Sequence, residues 1–172
     1  MNVVFYFSGA IAVIATALAL SRTNAVHALL NLTVSFLAVA VVFFVLGARF
    51  AAGLEVIVYA GAIMVVFVFV VMLLNLGEQS AAQERQWLRP GNWLGPALLS
   101  ALLLAEVIYI LFAGASRVSG SQPVTPKQVG LALFGPYVLG VELASLLLLS
   151  GLIGAYHLGR RVRRLERKGG DA

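Results

Sequence analysis

A chain of 172 residues that is 61% apolar and 11% charged lies far from soluble domains, which are about 45–50% apolar and about 25% charged. Since a fold of this size leaves roughly a third of its area exposed, a water-soluble globule is excluded and the bilayer is the solvent. The absence of cysteine excludes disulfides, thiolate zinc sites, iron–sulfur clusters and covalently attached haem within the chain. The two histidines, His27 and His157, are a poor supply for metal or bis-histidine haem. The net charge of +5 does not point to nucleic acid, because six of the 12 basic residues fall between Arg160 and Lys168. On a membrane chain, such a cluster sets topology first.

Five apolar runs are long enough to cross a hydrocarbon core of about 30 Å: residues 3–20, 25–46, 54–74, 93–113 and 136–158. They are continuously apolar, without the period-two alternation of a membrane barrel, so the predicted fold is an all-α bundle of five transmembrane helices. Residues 1–159 form this domain and 160–172 a basic tail. Ala15, Ala17 and Ala19 of the first run stand at signal-peptidase spacing, but no basic residue precedes the run and Arg22 follows it, so it reads as a retained helix. In the second run Asn24, His27, Asn31 and Ser35 share one helical face. Bonds across helices from such residues stabilise packing by roughly 0.6–2 kcal/mol each, and helix–helix glue, with Thr23 or Asn24 as N-cap, is favoured over a proton path.

The third run reads Glu55-Val-Ile-Val-Tyr59-Ala-Gly61-Ala-Ile-Met-Val65. Ala60, Gly61 and Ala62 allow close helix approach, while glycine costs about 1 kcal/mol relative to alanine in a helix. The β-branched run from Val65 to Val71 is stiff at χ1. A π-bulge fits here, and bulges of that kind concentrate at functional sites; an ordinary close crossing is the simpler alternative. A loop over residues 75–92 carries Arg85, Trp87 and Arg89, and residues 114–135, with Ser119, Gly120, Ser121, Pro123 and Pro126, are expected to be an irregular connector. On the fifth run Gly151, Ala155 and Gly159 recur every fourth residue, a spacing suited to tight packing.

Five spans put the termini on opposite sides. With the basic tail cytoplasmic and the N-terminus outside, nine basic residues lie inside and Arg49, Arg117 and Lys127 outside, a positive-inside bias. Three carboxylates interrupt the spans: Glu55 and Glu142 nearer the outer face, Glu106 deepest. Inserting a charge at the helix centre costs about 2.5–3.5 kcal/mol, and neutralising a glutamate at pH 7 costs roughly 3.7 kcal/mol. The near match makes each a candidate for proton exchange; for Glu55 and Glu142 a structural bond to a neighbouring helix is an equal alternative, and for Glu106 a structural contact with a polar partner subunit is favoured. There is no internal repeat, phosphate loop, dinucleotide fingerprint or nucleophile elbow, so no catalytic residue is assigned to the chain.

The runs Thr23-Asn-Ala-Val-His27-Ala-Leu-Leu, Glu55-Val-Ile-Val-Tyr59-Ala-Gly61-Ala-Ile-Met, Phe134-Gly-Pro-Tyr-Val138 and Val141-Glu-Leu-Ala-Ser145, with Gln83-Glu-Arg-Gln-Trp-Leu88, closely resemble a family of membrane subunits. The family comprises subunit J of bacterial NADH:quinone oxidoreductase, respiratory complex I, and its mitochondrial counterpart, NADH dehydrogenase subunit 6. The resemblance covers nearly the whole chain before Arg160. It implies a non-redox membrane-arm subunit in the bacterial cytoplasmic membrane, beside quinone-adjacent and small antiporter-like subunits and lipid. FMN, iron–sulfur clusters and quinone would belong to the complex, with no cofactor in this chain. It further implies a π-bulge around Tyr59 to Val65 whose exchange with α-helix gates proton connection. Tyr59, Ala60, Gly61, Ala62 and Val65 are then the conformational gate, and Glu55 and Glu142, in matching segments, the proton-path candidates. Glu106 lies outside the matching motifs and is a candidate from its depth in the span alone, with no family role. Asn24, His27, Asn31, Gly151 and Ala155 are packing residues by their spacing. A pure scaffold and an independent small proton-coupled transporter are the alternatives.

Overall fold

The computed structural model describes residues 2–22, 24–74, 90–113 and 124–169, and every regular element among them is a helix. In chain order these are α1 (Asn2–Ser21), α2 (Ala25–Val45), α3 (Arg49–Leu54), a π-helix (Glu55–Ile63), α4 (Met64–Leu74), α5 (Pro90–Ala113), α6 (Pro126–Leu133) and α7 (Val138–Gly169). Five helical stretches are long and apolar enough to cross a membrane; α3, the π segment and α4 together form the third, Arg49–Leu73. The chain divides into two compact units, Met1–Val124 and Thr125–Ala172.

In the first unit α1 and α2 form a helical hairpin with α5 against it. Its core is a seam of Ile11 and Ala15 from α1, Val34, Ala38, Val41 and Val45 from α2, and Leu99, Leu103 and Ile110 from α5. Because lipid tails are as apolar as leucine, such a seam is held by close packing and interhelical hydrogen bonds. Ala15 and Ala38 are fully buried and let the backbones approach. Asn24 caps α2, its Oδ1 accepting from the Val26 and His27 amides at 2.9 and 3.3 Å; Thr23 lies outside the described residues.

The end of α2 explains where the third span begins. Gly47, at φ 86°, donates to the Phe44 carbonyl at 3.1 Å, and Ala48 to that of Phe43 at 2.9 Å. This is a Schellman stop, in which the left-handed residue favours glycine. The chain reverses within Gly47 and Ala48, so the next helix starts at Arg49, five residues earlier than the expected start at 54. Arg49 looked like loop because it is charged; here its guanidinium lies 5.5 Å from the Phe44 ring centroid, a favourable cation–π contact.

The fourth spanning stretch, Trp93–Phe112, falls within the expected residues 93–113, and its helix begins earlier, at Pro90, where a first-turn proline lacks only a donor that has no intrahelical acceptor. The connector expected to be irregular contains α6. Thr125 and Gln128 form a reciprocal capping box there, and Pro126 occupies the first turn, together enough to start a helix. Residues 134–137 then turn, so α7 begins at Val138 rather than 136 and continues beyond 158 to Gly169. Arg85, Trp87, Arg89, Arg117, Ser119, Gly120, Ser121, Pro123 and the Gln83-to-Leu88 motif lie outside the described residues.

Candidate functional site

The third span is the irregular one. Between two α-helical pieces, residues Glu55–Ile63 are π-helical, and the Met64 amide donates to the Tyr59 carbonyl, five residues back. A Cβ on Gly61 would stand 3.2 Å from the Val56 carbonyl oxygen, again five residues back, so the missing side chain relieves the wider turn. Glu55 opens the segment, half-buried, and Ala60 and Gly61 are half-buried while Ala62 is exposed. The Tyr59 ring packs on Phe36 of α2 with centroids 5.4 Å apart and planes tilted by 52°. Val65 is the second residue of α4, and the β-branched run after it is regular α-helix. The irregularity therefore sits on the small residues, upstream of the stiff ones: χ1 restriction lowers helix propensity only slightly, whereas backbone register responds to Cβ crowding.

The structure brings the polar stripe of α2 into the core. His27 and Asn31 are buried; the Asn31 Nδ2 donates to the His27 carbonyl at 2.9 Å, and the His27 ring meets Trp93 of α5 edge-on at 5.7 Å. Ser35 Oγ lies 2.8 Å from Thr16 Oγ1 and donates to the Ala12 carbonyl at 3.0 Å, tying α2 to α1. Glu106, on the buried stripe of α5, lies 2.8 Å from Ser8 Oγ of α1. Nothing in the sequence marks Ser8, a serine among apolar residues, because its partner is 98 positions away. Glu142 is exposed on α7, where the Ser145 hydroxyl donates to its backbone carbonyl at 2.7 Å. A Cβ at Gly151 would meet nothing within 4 Å, and Ala155 is exposed. Glu55, Glu106 and Glu142 thus occupy three different helices. Among the described residues no group of three or more His, Cys, Asp or Glu could hold a metal ion.

These features define a helical, multi-pass membrane protein with a π segment inside one span and polar pairs bonding its helices. Residues 15–158 match the family described as NADH-ubiquinone/plastoquinone oxidoreductase chain 6, and the chain belongs to that family. It is similar to NADH-quinone oxidoreductase subunit J of Escherichia coli K12, 55% identical over 166 residues that cover 96% of this chain and 90% of that one. The same subunit of Pseudomonas aeruginosa is 54% identical over 162 residues, covering 94% and 98%. That of Buchnera aphidicola from Schizaphis graminum is 47% identical over 160 residues, covering 93% and 98%.

Proposed function

We propose that the chain is a non-redox coupling subunit in the membrane arm of a proton-pumping NADH:quinone oxidoreductase in the bacterial cytoplasmic membrane, with its third span as the moving part. The observation that carries this reading is the π-helix over Glu55–Ile63 inside an otherwise α-helical span. Shifting one turn from i−5 to i−4 bonding rotates one end of the helix against the other by about 100°. Tyr59, Ala60, Gly61, Ala62 and Val65 would turn with it, moving the Tyr59 ring relative to Phe36 and making or breaking a proton connection. Glu55, at the segment's start, and Glu142 are the groups that would exchange protons with that connection. FMN, iron–sulfur clusters and quinone reside in other subunits, and this chain holds no cofactor.

The exposed apolar surface supports partners. The third span is almost wholly exposed whereas much of α2 is buried, and Ile57, Val65, Val66 and Phe69 are open. Quinone-adjacent and small antiporter-like subunits, with lipid, are the neighbours we assign to it; Gly151 and Ala155 suit close helix contacts there. The basic residues from Arg160 onward form a cytoplasmic tail after the domain of residues 1–159, with the N-terminus outside. Glu55→Gln tests the reading: the complex assembles on native gels while proton uptake per quinone reduced falls or changes its pH profile. An assembled complex with unchanged coupling makes Glu55 structural. A scaffold role, favoured by the same exposed surface, predicts effects on assembly yield with normal turnover in what assembles.

A further inference from the structure

Ser8 Oγ stands 2.9 Å from the Val4 carbonyl oxygen and 2.8 Å from Glu106 Oε1. A serine hydroxyl carries one hydrogen and the Val4 carbonyl can only accept. If the hydroxyl donates to Val4, the short contact to Glu106 must be an O–H of the carboxyl donating to Ser8 Oγ. If the carboxyl is ionised, the hydroxyl turns to donate to Oε1 and leaves Val4. The same heavy-atom positions serve both states.

The surroundings choose between them at rest. Glu106 is 7% exposed and Ser8 fully buried, and Glu106 Oε2 has no hydrogen-bond partner. Leu103 and Ile110 flank the carboxyl on its own stripe of α5. A carboxylate there would be held by one hydroxyl among apolar side chains, and a buried charge without full compensation is costly. A neutral acid satisfies its hydrogen, the Ser8 hydrogen and the Val4 acceptor together, leaving only a carbonyl-type oxygen open.

Among the described residues no other charged side chain is bonded to this pair. On α5 the other titratable residue is Tyr109, which is exposed. On α1 Tyr6 is exposed and Arg22 follows the far end of the helix. On α2 His27 packs on Trp93, 13 residues and so about 20 Å along α5 from Glu106. Arg49 lines the same apolar groove as Leu103, Val107 and Ile110, with its guanidinium at Phe44. The Thr16–Ser35 pair is eight residues along α1 from Ser8, about 12 Å away.

We propose that Glu106 and Ser8 form a buried proton-exchange site between α1 and α5: Glu106 carries the proton at rest, and Ser8 switches from acceptor to donor when it leaves. On release the carboxyl turns over so that its O–H leaves Ser8 and faces the unpartnered side, the proton passes to a water admitted there, and the Ser8 hydroxyl rotates from Val4 to donate to the carboxylate oxygen now facing it; uptake reverses these steps. The site is separate from the third span and does not require the π segment to rewind.

The test uses the whole purified complex. Glu106→Gln keeps the shape and an N–H for Ser8, and Ser8→Ala removes the partner while keeping the acid. In the infrared spectrum the native complex is expected to show a deuterium-sensitive carbonyl band of a protonated carboxyl that disappears in Glu106→Gln and moves to higher frequency in Ser8→Ala. In vesicles, Glu106→Gln is expected to flatten the pH profile of proton uptake per quinone reduced. An assembled Glu106→Gln complex that retains every such band, or has a native pH profile, overturns the proposal. Should that variant not assemble, an unshifted band in Ser8→Ala overturns it. The infrared readout stands independently of the coupling role proposed above, whereas the vesicle readout rests on it, so failure of one is distinguishable from failure of the other.

Discussion

Replacing Gly61 by alanine adds one carbon at the point where the π turn is tightest. That carbon would lie 3.2 Å from the Val56 carbonyl oxygen, closer than ordinary van der Waals contact, so the turn must open by a few tenths of an ångström. Accommodating it through backbone angles costs about 1 kcal/mol, the scale of a ~7° bond-angle distortion. In an α turn the acceptor is four residues back, so the penalty falls on the π form alone. Alanine also gains about 1 kcal/mol over glycine from reduced chain entropy, but that gain applies to both helical forms. The net bias is therefore about fivefold toward α. Cryo-electron microscopy of the assembled variant should show a larger share of particles with an α-helical third span, and proton uptake per quinone reduced should fall in vesicles. Gly61→Leu carries the same Cβ with added bulk and should act further in the same direction. An assembled Gly61→Ala complex with an undiminished π population and native coupling would refute the reasoning.

Three further outcomes follow from the packing. Gly47→Ala places a Cβ at φ 86° and should cost about 1–2 kcal/mol, read as a lower midpoint for thermal disassembly of the complex; an unchanged midpoint argues against a strained stop. Asn24→Ala removes the acceptor for the Val26 and His27 amides and should cost about 1 kcal/mol in the same assay, with Asn24→Ser recovering most of it. A double-mutant cycle of Thr16→Val and Ser35→Ala should give a coupling of about 0.6 kcal/mol, and no more than about 1.7 kcal/mol, while quinone reduction by the assembled complex stays native.

The number of spans, the α2 cap and the weak segment in the third span were readable from residue order because each depends on local pattern. Sustained apolarity marks spans, Asn24 precedes an apolar period, and Ala60-Gly61-Ala62 stands out among large residues. Arg49 was misplaced for the opposite reason: its charge suggests solvent, and only the Gly47 reversal brings it beside Phe44. The α6 helix has a local signal within a stretch whose prolines and glycines suggest an irregular connector: Thr125-Pro126-Lys127-Gln128 is a capping box with proline at the first turn. The partner of Glu106 was not legible at all. A serine one turn after Val4 has no feature that ties it to a carboxylate on α5, and the pairing exists only once α1 and α5 lie side by side. The extent of the π segment also escaped, because bond register depends on small differences in backbone crowding, not on side-chain type alone.

Soluble proteins hinge at loops, where water takes over each broken backbone bond. In hydrocarbon that route is closed, because an unpaired amide or carbonyl costs several kcal/mol. In the function proposed above, the bond from the Met64 amide to Tyr59 would offer another. Such a fault can travel along the helix as a dislocation travels through a crystal, each amide trading its carbonyl for the next while nearly all others stay paired. A membrane span built this way can change which face its side chains present without ever coming undone.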